Sequence, residues 1–304
     1  MPHSIFIDGA AGTTGLEIAD RLAGRSEFAL LSLDEAQRKD ADARCDALNA
    51  ADFVILCLPD DAARDAAAMV DNPRTRIIDA SSAHRVANGW TYGLPELSAE
   101  QREAIVAASR VTNPGCYSTG FIALVAPLVA AGLLPRDIAL TCNAVSGYSG
   151  GGKALIERFA AEPNLGFRTY ALGLNHKHVP EMQARAGLNR APLFAPAVVP
   201  VFRGMIVEVP LAAGAADADA VRACLSAHYA DSPIITAGQA SDGELLLRDG
   251  VDGWDGLEWF VFGGANGQIR LAARLDNLGK GASGACVQNL NLMAGLPETA
   301  GLRL

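Results

Sequence analysis

The order of apolar and polar positions predicts a regular alternation of strands and helices in the first part of the chain. Residues 4–8 read as a buried strand. A glycine-punctuated run, Gly9-Ala10-Ala11-Gly12-Thr13-Thr14-Gly15, follows it and leads into a helical pattern through Leu16, Ile18, Ala19 and Leu22. A second strand is expected over residues 28–33. A third, over 52–59, is read as apolar throughout, as a parallel strand buried on both faces would be. Asp60 can cap an Ala-rich helix that runs to about residue 70, and residues 76–79 make a fourth strand. Ser98-Ala99-Glu100-Gln101 has the form of a capping box for a helix reaching residue 108, and residues 109–112 make a fifth strand. This alternation predicts an α/β fold with a doubly wound, Rossmann-type parallel sheet.

The pattern changes after the long apolar helix that begins near residue 121. A strand over 138–145 is followed by the glycine-dense segment Ser146 to Lys153 and a helix from Ala154. Pro180 suits the first turn of a further helix. Two strands over 197–210 are joined at Phe202-Arg203-Gly204, a helix covers 218–229, and a hairpin over 257–262 and 268–275 turns at residues 263–267. This run of β structure predicts a second, α+β domain, to which the resemblance described below assigns catalysis and oligomerisation. The small-residue helix from Lys280 to about residue 295 is expected to pack back on the first domain. The expected division is therefore residues 1–115 plus 280–304 for dinucleotide binding, and 116–279 for the second domain.

Composition narrows the class. The chain has 304 residues, 50% hydrophobic and 19% charged, which suits two ordered globular domains. A net charge of −9 argues against non-specific nucleic-acid binding. The first residues carry no charged stretch followed by an apolar one, so no signal peptide is expected, and no apolar run is long enough to span a bilayer. The six cysteines are scattered and form no C-x-x-C pair, which suits reduced thiols in a cytoplasmic enzyme and offers no zinc site.

Three stretches carry candidate chemistry. Strand, glycine loop and helix is the setting for a dinucleotide pyrophosphate, with Gly9, Gly12, Thr13, Thr14 and Gly15 at the contact. Near the second strand, Asp34 and Glu35 could hold the ribose of NAD, whereas Ser32 and Arg38 suit a 2′-phosphate; the reading leans towards NADP. Asn113-Pro114-Gly115-Cys116 places a cysteine where a loop enters a helix, and there the unpaired N–H groups favour a thiolate. A cysteine so placed can also be a small buried core residue. Ser82 and Arg85 follow the fourth strand, where open α/β sheets bind ligands, and could grip a phosphate or carboxylate. Ser146-Gly147 open a glycine loop that lacks the P-loop pattern, because Ala154 follows Lys153. His176-Lys177-His178-Val179-Pro180-Glu181 puts two histidines before a helix; either could move a proton, and with no third ligand in register no metal is expected.

Taken in order, seven stretches resemble the short-form N-acetyl-γ-glutamyl-phosphate reductases of the semialdehyde dehydrogenase group, over nearly the whole chain. They are residues 9–15, Asp79-Ala80-Ser81-Ser82-Ala83-His84-Arg85, Tyr92-Gly93-Leu94-Pro95-Glu96, Asn113-Pro114-Gly115-Cys116-Tyr117, Ser146-Gly147-Tyr148-Ser149-Gly150, the His176 to Glu181 stretch, and Asp276-Asn277-Leu278-Gly279-Lys280-Gly281. The resemblance implies an NADPH-dependent reduction of an acyl phosphate to an aldehyde, in arginine biosynthesis, through a thioester on Cys116. It implies His176 as acid/base partner, with His178 as second choice or as a substrate contact. It places Ser82, Arg85 and Glu181 near the substrate and Asn277, Ser146 and Gly147 near the cofactor, and implies a homo-oligomer, a dimer or tetramer. Lys177 and Val179 stand where the family often has Arg and Thr. A reductase of aspartyl phosphate or of a carrier-linked aminoadipyl phosphate is the alternative within the same chemistry. A dinucleotide-binding sensor is the non-catalytic one, and it has no need of Cys116 or His176.

Overall fold

The protein is described by a computed structural model that covers residues 2–240, 243–247, 251 and 253–304. It divides into two compact units, residues 1–114 with 282–302, and residues 115–281 with 303–304.

The first unit is built on six parallel strands: β1 (His3–Asp8), β2 (Phe28–Leu31), β3 (Phe53–Leu56), β4 (Arg76–Asp79), β5 (Thr91–Tyr92) and β6 (Arg110–Thr112). Their order across the sheet is β2-β1-β3-β4-β6-β5. Its helices are α1 (Thr13–Leu22), α2 (Ala41–Ala50), α3 (Asp60–Met69), α4 (Ala99–Ala107) and, from the chain's far end, α9 (Gly284–Met293). The continuous apolar strands divide their side chains by the two-residue period. Ile5, Ile7, Phe53, Ile55 and Ile78 enter one core with Ile18, Leu22, Val287 and Leu290. Phe6, Val54, Leu56 and Ile77 enter the other with Leu48, Ala63 and Ala66. Both faces of the sheet are therefore covered, as parallel strands require. The chain turns to opposite sides of β1 to make β2 and β3, so the carboxyl end of β1, where the glycine loop begins, is the switch point of the sheet.

The second unit contains α5 (Cys116–Ala130), β7 (Thr141–Gly147), α6 (Gly152–Ala161), β8 (Arg168–Thr169), α7 (Val179–Arg185), β9 (Leu193–Val199), β10 (Met205–Leu211), α8 (Ala218–His228), β11 (Ile235–Ala237), β12 (Leu257–Gly263) and β13 (Ile269–Leu275). Its mixed sheet runs β11-β12-β13-β10-β7-β9-β8. The two strands expected around Phe202-Arg203-Gly204 form as β9 and β10. The strands on either side of Phe202-Arg203-Gly204 are not neighbours, because β7 lies between them, parallel to β9 and antiparallel to β10. The strand expected over 138–145 is set later, at Thr141–Gly147. The first unit also holds α2, which the apolar pattern does not announce.

Helix α5 packs on this sheet and is buried along nearly its whole length. Pro127 lies inside it. A proline there removes the hydrogen bond to the carbonyl four residues back, which is that of Ala123. The buried hydroxyl of Tyr229, just past α8, donates to that carbonyl at 2.7 Å and repairs the loss. Tyr229→Phe should leave a buried acceptor unmet and lower stability by about 1–3 kcal/mol. The expected readout is a lower urea midpoint with an unchanged slope; an unmoved midpoint would contradict this role for the hydroxyl.

Candidate active site

In the first unit, Gly9 has φ +89°, and a Cβ on it would lie 2.3 Å from the Cys57 carbonyl oxygen. A Cβ on Gly15 would lie 2.6 Å from the Gly9 oxygen. Both positions therefore demand glycine, and the loop closes tightly against its neighbours. Gly12 stands at the N-cap of α1 and offers no side chain to its first-turn N–H groups, so Thr13, Thr14 and Gly15 open the helix with backbone donors not capped by a side chain. Beside the loop is a cavity of about 420 Å³ bordered by Gly9, Ala10, Leu31, Ser32, Arg38 and Arg44. A glycine cradle at a helix head, opening on a hydroxyl and two guanidinium groups, fits the phosphates of a dinucleotide. Arg44 lies on α2 and its Nη2 is 2.7 Å from the Asp8 carboxylate; with α2 unannounced, this cation is missed by sequence reasoning.

In the second unit, Cys116 is the first residue of α5, with Gly115 as N-cap. Its sulfur is half-buried. Burial pushes the thiols of Cys57, Cys142 and Cys286 up, Cys57 to about 12, so these stay protonated. Cys116 instead has the positive end of a fifteen-residue helix beneath it. Gly281 faces it so closely that a Cβ there would come 2.7 Å from the cysteine Cβ. Glu181, 1% exposed, accepts hydrogen bonds from the Gly115 N–H at 2.9 Å and from the Ser118 hydroxyl at 2.8 Å, and so holds the head of the helix.

Cys116 opens on a cavity of about 400 Å³ lined also by Tyr117, Gly150, Arg158, Arg168 and Tyr170. A chain of polar contacts leads from its wall to His176. The Tyr117 hydroxyl donates to the Ala197 carbonyl at 3.2 Å, and the Tyr170 hydroxyl donates to that of Tyr117 at 3.3 Å. The Tyr170 oxygen then stands 3.5 Å from His176 Nε2. His176 Nδ1 accepts the backbone N–H of His178 at 3.1 Å. The rings of Tyr117, Tyr170, Phe194 and His178 pack edge-on around His176. Arg168 lies over the Tyr170 ring at 4.4 Å.

The comparisons with known proteins agree with this arrangement. Residues 116–277 match the model described as the semialdehyde dehydrogenase dimerisation domain, and residues 32–105 match the semialdehyde dehydrogenase NAD binding domain. The chain is 49% identical to N-acetyl-gamma-glutamyl-phosphate reductase 2 of Pseudomonas putida, with 98% of each chain covered. It is 49% identical to N-acetyl-gamma-glutamyl-phosphate reductase of Rhizobium etli, over 96% of this chain and 99% of that one. The chain belongs to the N-acetyl-gamma-glutamyl-phosphate reductase family. Among solved structures, aspartate semialdehyde dehydrogenase II of Vibrio cholerae complexed with ASA superimposes with a TM-score of 0.75 at 17% identity, over 97% of this chain and 99% of that one. Aspartate semialdehyde dehydrogenase with NADP from Candida albicans gives 0.67 at 15% identity, over 96% and 98%. At these identities the two structures attest the shared fold.

Within this reductase family member, several residues expected at ligands have partners inside the protein. Glu181 is one, since both carboxylate oxygens serve the head of α5. The Ser82 hydroxyl donates to Asp60 at 2.6 Å, tying the end of β4 to the start of α3. Arg85 is 6% exposed and its Nε donates to the Asn113 carbonyl at 3.1 Å, in the loop that leads towards Cys116. Asn277, 1% exposed, accepts from the Gly204 N–H at 2.9 Å and donates to the Ser149 hydroxyl at 2.9 Å, so its amide joins two loops. Ser146 and Gly147 line the Cys116 cavity, with the Ser146 hydroxyl turned to the Gly147 carbonyl at 2.9 Å. His178 is 5% exposed and forms the N-cap of α7. Tyr170 and Arg168, absent from the expected set, are the site residues that the structure adds. A tyrosine six positions before the motif histidine was the available signal.

Burial, with the nearby Cys116, pushes the Tyr170 hydroxyl up to about 12 against the opposing pull of the Tyr117 hydrogen bond and Arg168, and burial pushes Tyr117 well above its ordinary value of 10. Below about pH 10 both tyrosines are protonated folded or unfolded, and they give stability no pH dependence. Between about 10 and 12 the unfolded chain releases protons that the folded one keeps, so stability falls as pH rises through this window. Urea midpoints from pH 8 to 11 should therefore drop less steeply for Tyr170→Phe than for the parent chain. Superimposable profiles would contradict the assignment.

Proposed function

We propose that the protein reduces N-acetyl-γ-glutamyl phosphate to N-acetylglutamate semialdehyde with NADPH and releases phosphate, as a step of arginine biosynthesis. The observation that carries the proposal is the half-buried Cys116 at the head of α5, opening on a cavity whose wall connects to His176. The names of relatives about half identical over the full chain support the substrate. In this reading the Cys116 thiolate attacks the acyl carbon, a carbon–sulfur bond forms, and the bond to the phosphate oxygen breaks with its electron pair leaving on phosphate. When bound, the dinucleotide supplies the hydride that reduces the thioester to the aldehyde. Release of the aldehyde breaks the carbon–sulfur bond and returns the thiolate at the helix head. His176 serves the reacting oxygen.

Gly9, Gly12, Thr13, Thr14 and Gly15 would hold the pyrophosphate, and Ser32 and Arg38 a 2′-phosphate, which supports NADP over NAD. Arg158 and Arg168 supply the cationic lining that a doubly anionic substrate needs, and are the proposed contacts for its phosphate or carboxylate. A homo-oligomer is supported by the description of the family model over 116–277 as a dimerisation domain. A cytoplasmic location is supported by six free cysteines, and among the described residues no helix is long and apolar enough to cross a membrane.

Cys116→Ser should lose turnover by at least about a thousandfold while binding NADPH as the parent chain does. In the oxidative direction with phosphate, N-acetylglutamate semialdehyde should be used far better than aspartate semialdehyde. Normal turnover by the serine variant would overturn the covalent route, and preference for aspartate semialdehyde would overturn the substrate.

A further inference from the structure

Two arginines border the cavity beside the glycine loop, and they are held very differently. Arg38 is exposed, and its Nε donates to the Leu33 carbonyl of its own turn at 3.2 Å. Arg44 is half-buried on α2. That helix is tied down at both ends. Asp40 caps it by accepting the Ala43 N–H at 2.8 Å, and the Asn49 amide donates to the carbonyl of Met69, the last residue of α3, at 2.9 Å. Leu48 follows Arg44 by one turn and is fully buried in the core that contains Phe6 of β1. Arg44 is therefore carried on the side of α2 that packs on the sheet, and its Nη2 meets the Asp8 carboxylate at the end of β1 at 2.7 Å.

A guanidinium has five N–H donors. One goes to Asp8, and among the described residues the Arg44 side chain has no other hydrogen-bond partner. Among the described residues that border the cavity, Asp8 is the one acid, and the same ion pair neutralises it. The acid expected to hold ribose hydroxyls is engaged elsewhere: the Asp34 carboxylate accepts the Gln37 N–H at 2.8 Å within its own turn. Beside Ser32 the cavity thus presents a fixed cation with donors to spare.

We infer that Arg44 selects a dinucleotide phosphorylated on its adenosine ribose over the unphosphorylated form, and that Asp8 is the residue that positions it. The inference rests on the reading of the cofactor as NADP. A phosphate monoester brings close to two negative charges and three acceptor oxygens, and a planar guanidinium meets two such oxygens at once. An unphosphorylated ribose brings hydroxyls and no charge. A cation that is already fixed gives more net binding, because less side-chain freedom is lost when the ligand arrives. Arg38, exposed on a short turn, has that freedom to lose. Arg44, held by its helix and by Asp8, has given it up on folding, so the discrimination falls on Arg44 more than on Arg38.

The test is titration calorimetry on the full-length chain with 2′,5′-ADP and 5′-AMP, two probes that differ only in the 2′-phosphate. The parent chain is compared with Arg44→Ala, Arg38→Ala and the double variant Asp8→Asn with Arg44→Gln. The double variant removes both charges together, so it leaves no buried carboxylate unpaired if Arg44→Ala alone fails to fold. The parent chain should bind 2′,5′-ADP the more tightly. That preference, taken as the ratio of the two Kd values, should fall about tenfold to a hundredfold in Arg44→Ala and in the double variant. A smaller fall is expected in Arg38→Ala. A preference unchanged in the folded Arg44 variants, or one that falls further in Arg38→Ala, overturns the inference and leaves the NADP reading standing. Equal binding of the two probes by the parent chain overturns the NADP reading, and the inference with it.

Discussion

The site depends on a carboxylate buried beneath the head of the helix that carries the sulfur. Glu181, on α7, takes the Gly115 N–H and the Ser118 hydroxyl on its two oxygens. A buried carboxylate is tolerated only when its lone pairs are met, so its position is strongly specified by those two donors. In return it fixes the residue before Cys116 and one two positions after it. Cys116 is thereby held at the point where the helix dipole favours a thiolate, and His176, five residues before Glu181 in the segment that opens α7, is carried by the same element. One buried side chain thus helps to set both the sulfur and the imidazole.

Each unit uses buried amides in the same way. In the first, Asn289 donates to the Gly93 carbonyl at 2.9 Å and to Asn113 at 3.1 Å, while Asn113 donates to the Ala282 carbonyl at 2.8 Å. The loop before Pro114 is therefore held by side chains from α9, in the last part of the chain, as well as by its own strand. In the second unit, Asn277 does the equivalent for the Ser149 and Gly204 loops. A site on loops gains precision when each loop has a partner that must be satisfied.

Much of this was legible in the order of residues, because local physics reports itself locally. Strand, glycine loop and helix at residues 3–22 appear where the period of apolar positions changes from two to 3.6. Cys116 falls at a loop-to-helix junction because Pro114 and Gly115 cannot extend the strand before them. Helix α2 was not legible: its alanines and charges form no apolar stripe, and Leu48 is its one fully buried residue. The insertion of β7 between β9 and β10 is a long-range pairing that no local pattern encodes. The motif residues Ser82, Arg85, Glu181 and Asn277 were visible as types, but a side chain's partner depends on what folding brings beside it. Each of these four has a partner within the protein. Tyr170 sits in no motif, and its place beside His176 follows from the turn after β8, where Ala171 and Leu174 adopt φ +53° and +59°.

The most direct test of the account is to mix the full-length protein with N-acetyl-γ-glutamyl phosphate in the absence of any nicotinamide cofactor, quench in acid, and measure intact and peptide masses. The account predicts one N-acetylglutamyl group per chain, on the peptide that contains Cys116 and removable by hydroxylamine. An unmodified Cys116 peptide under conditions where added NADPH gives rapid turnover would contradict it.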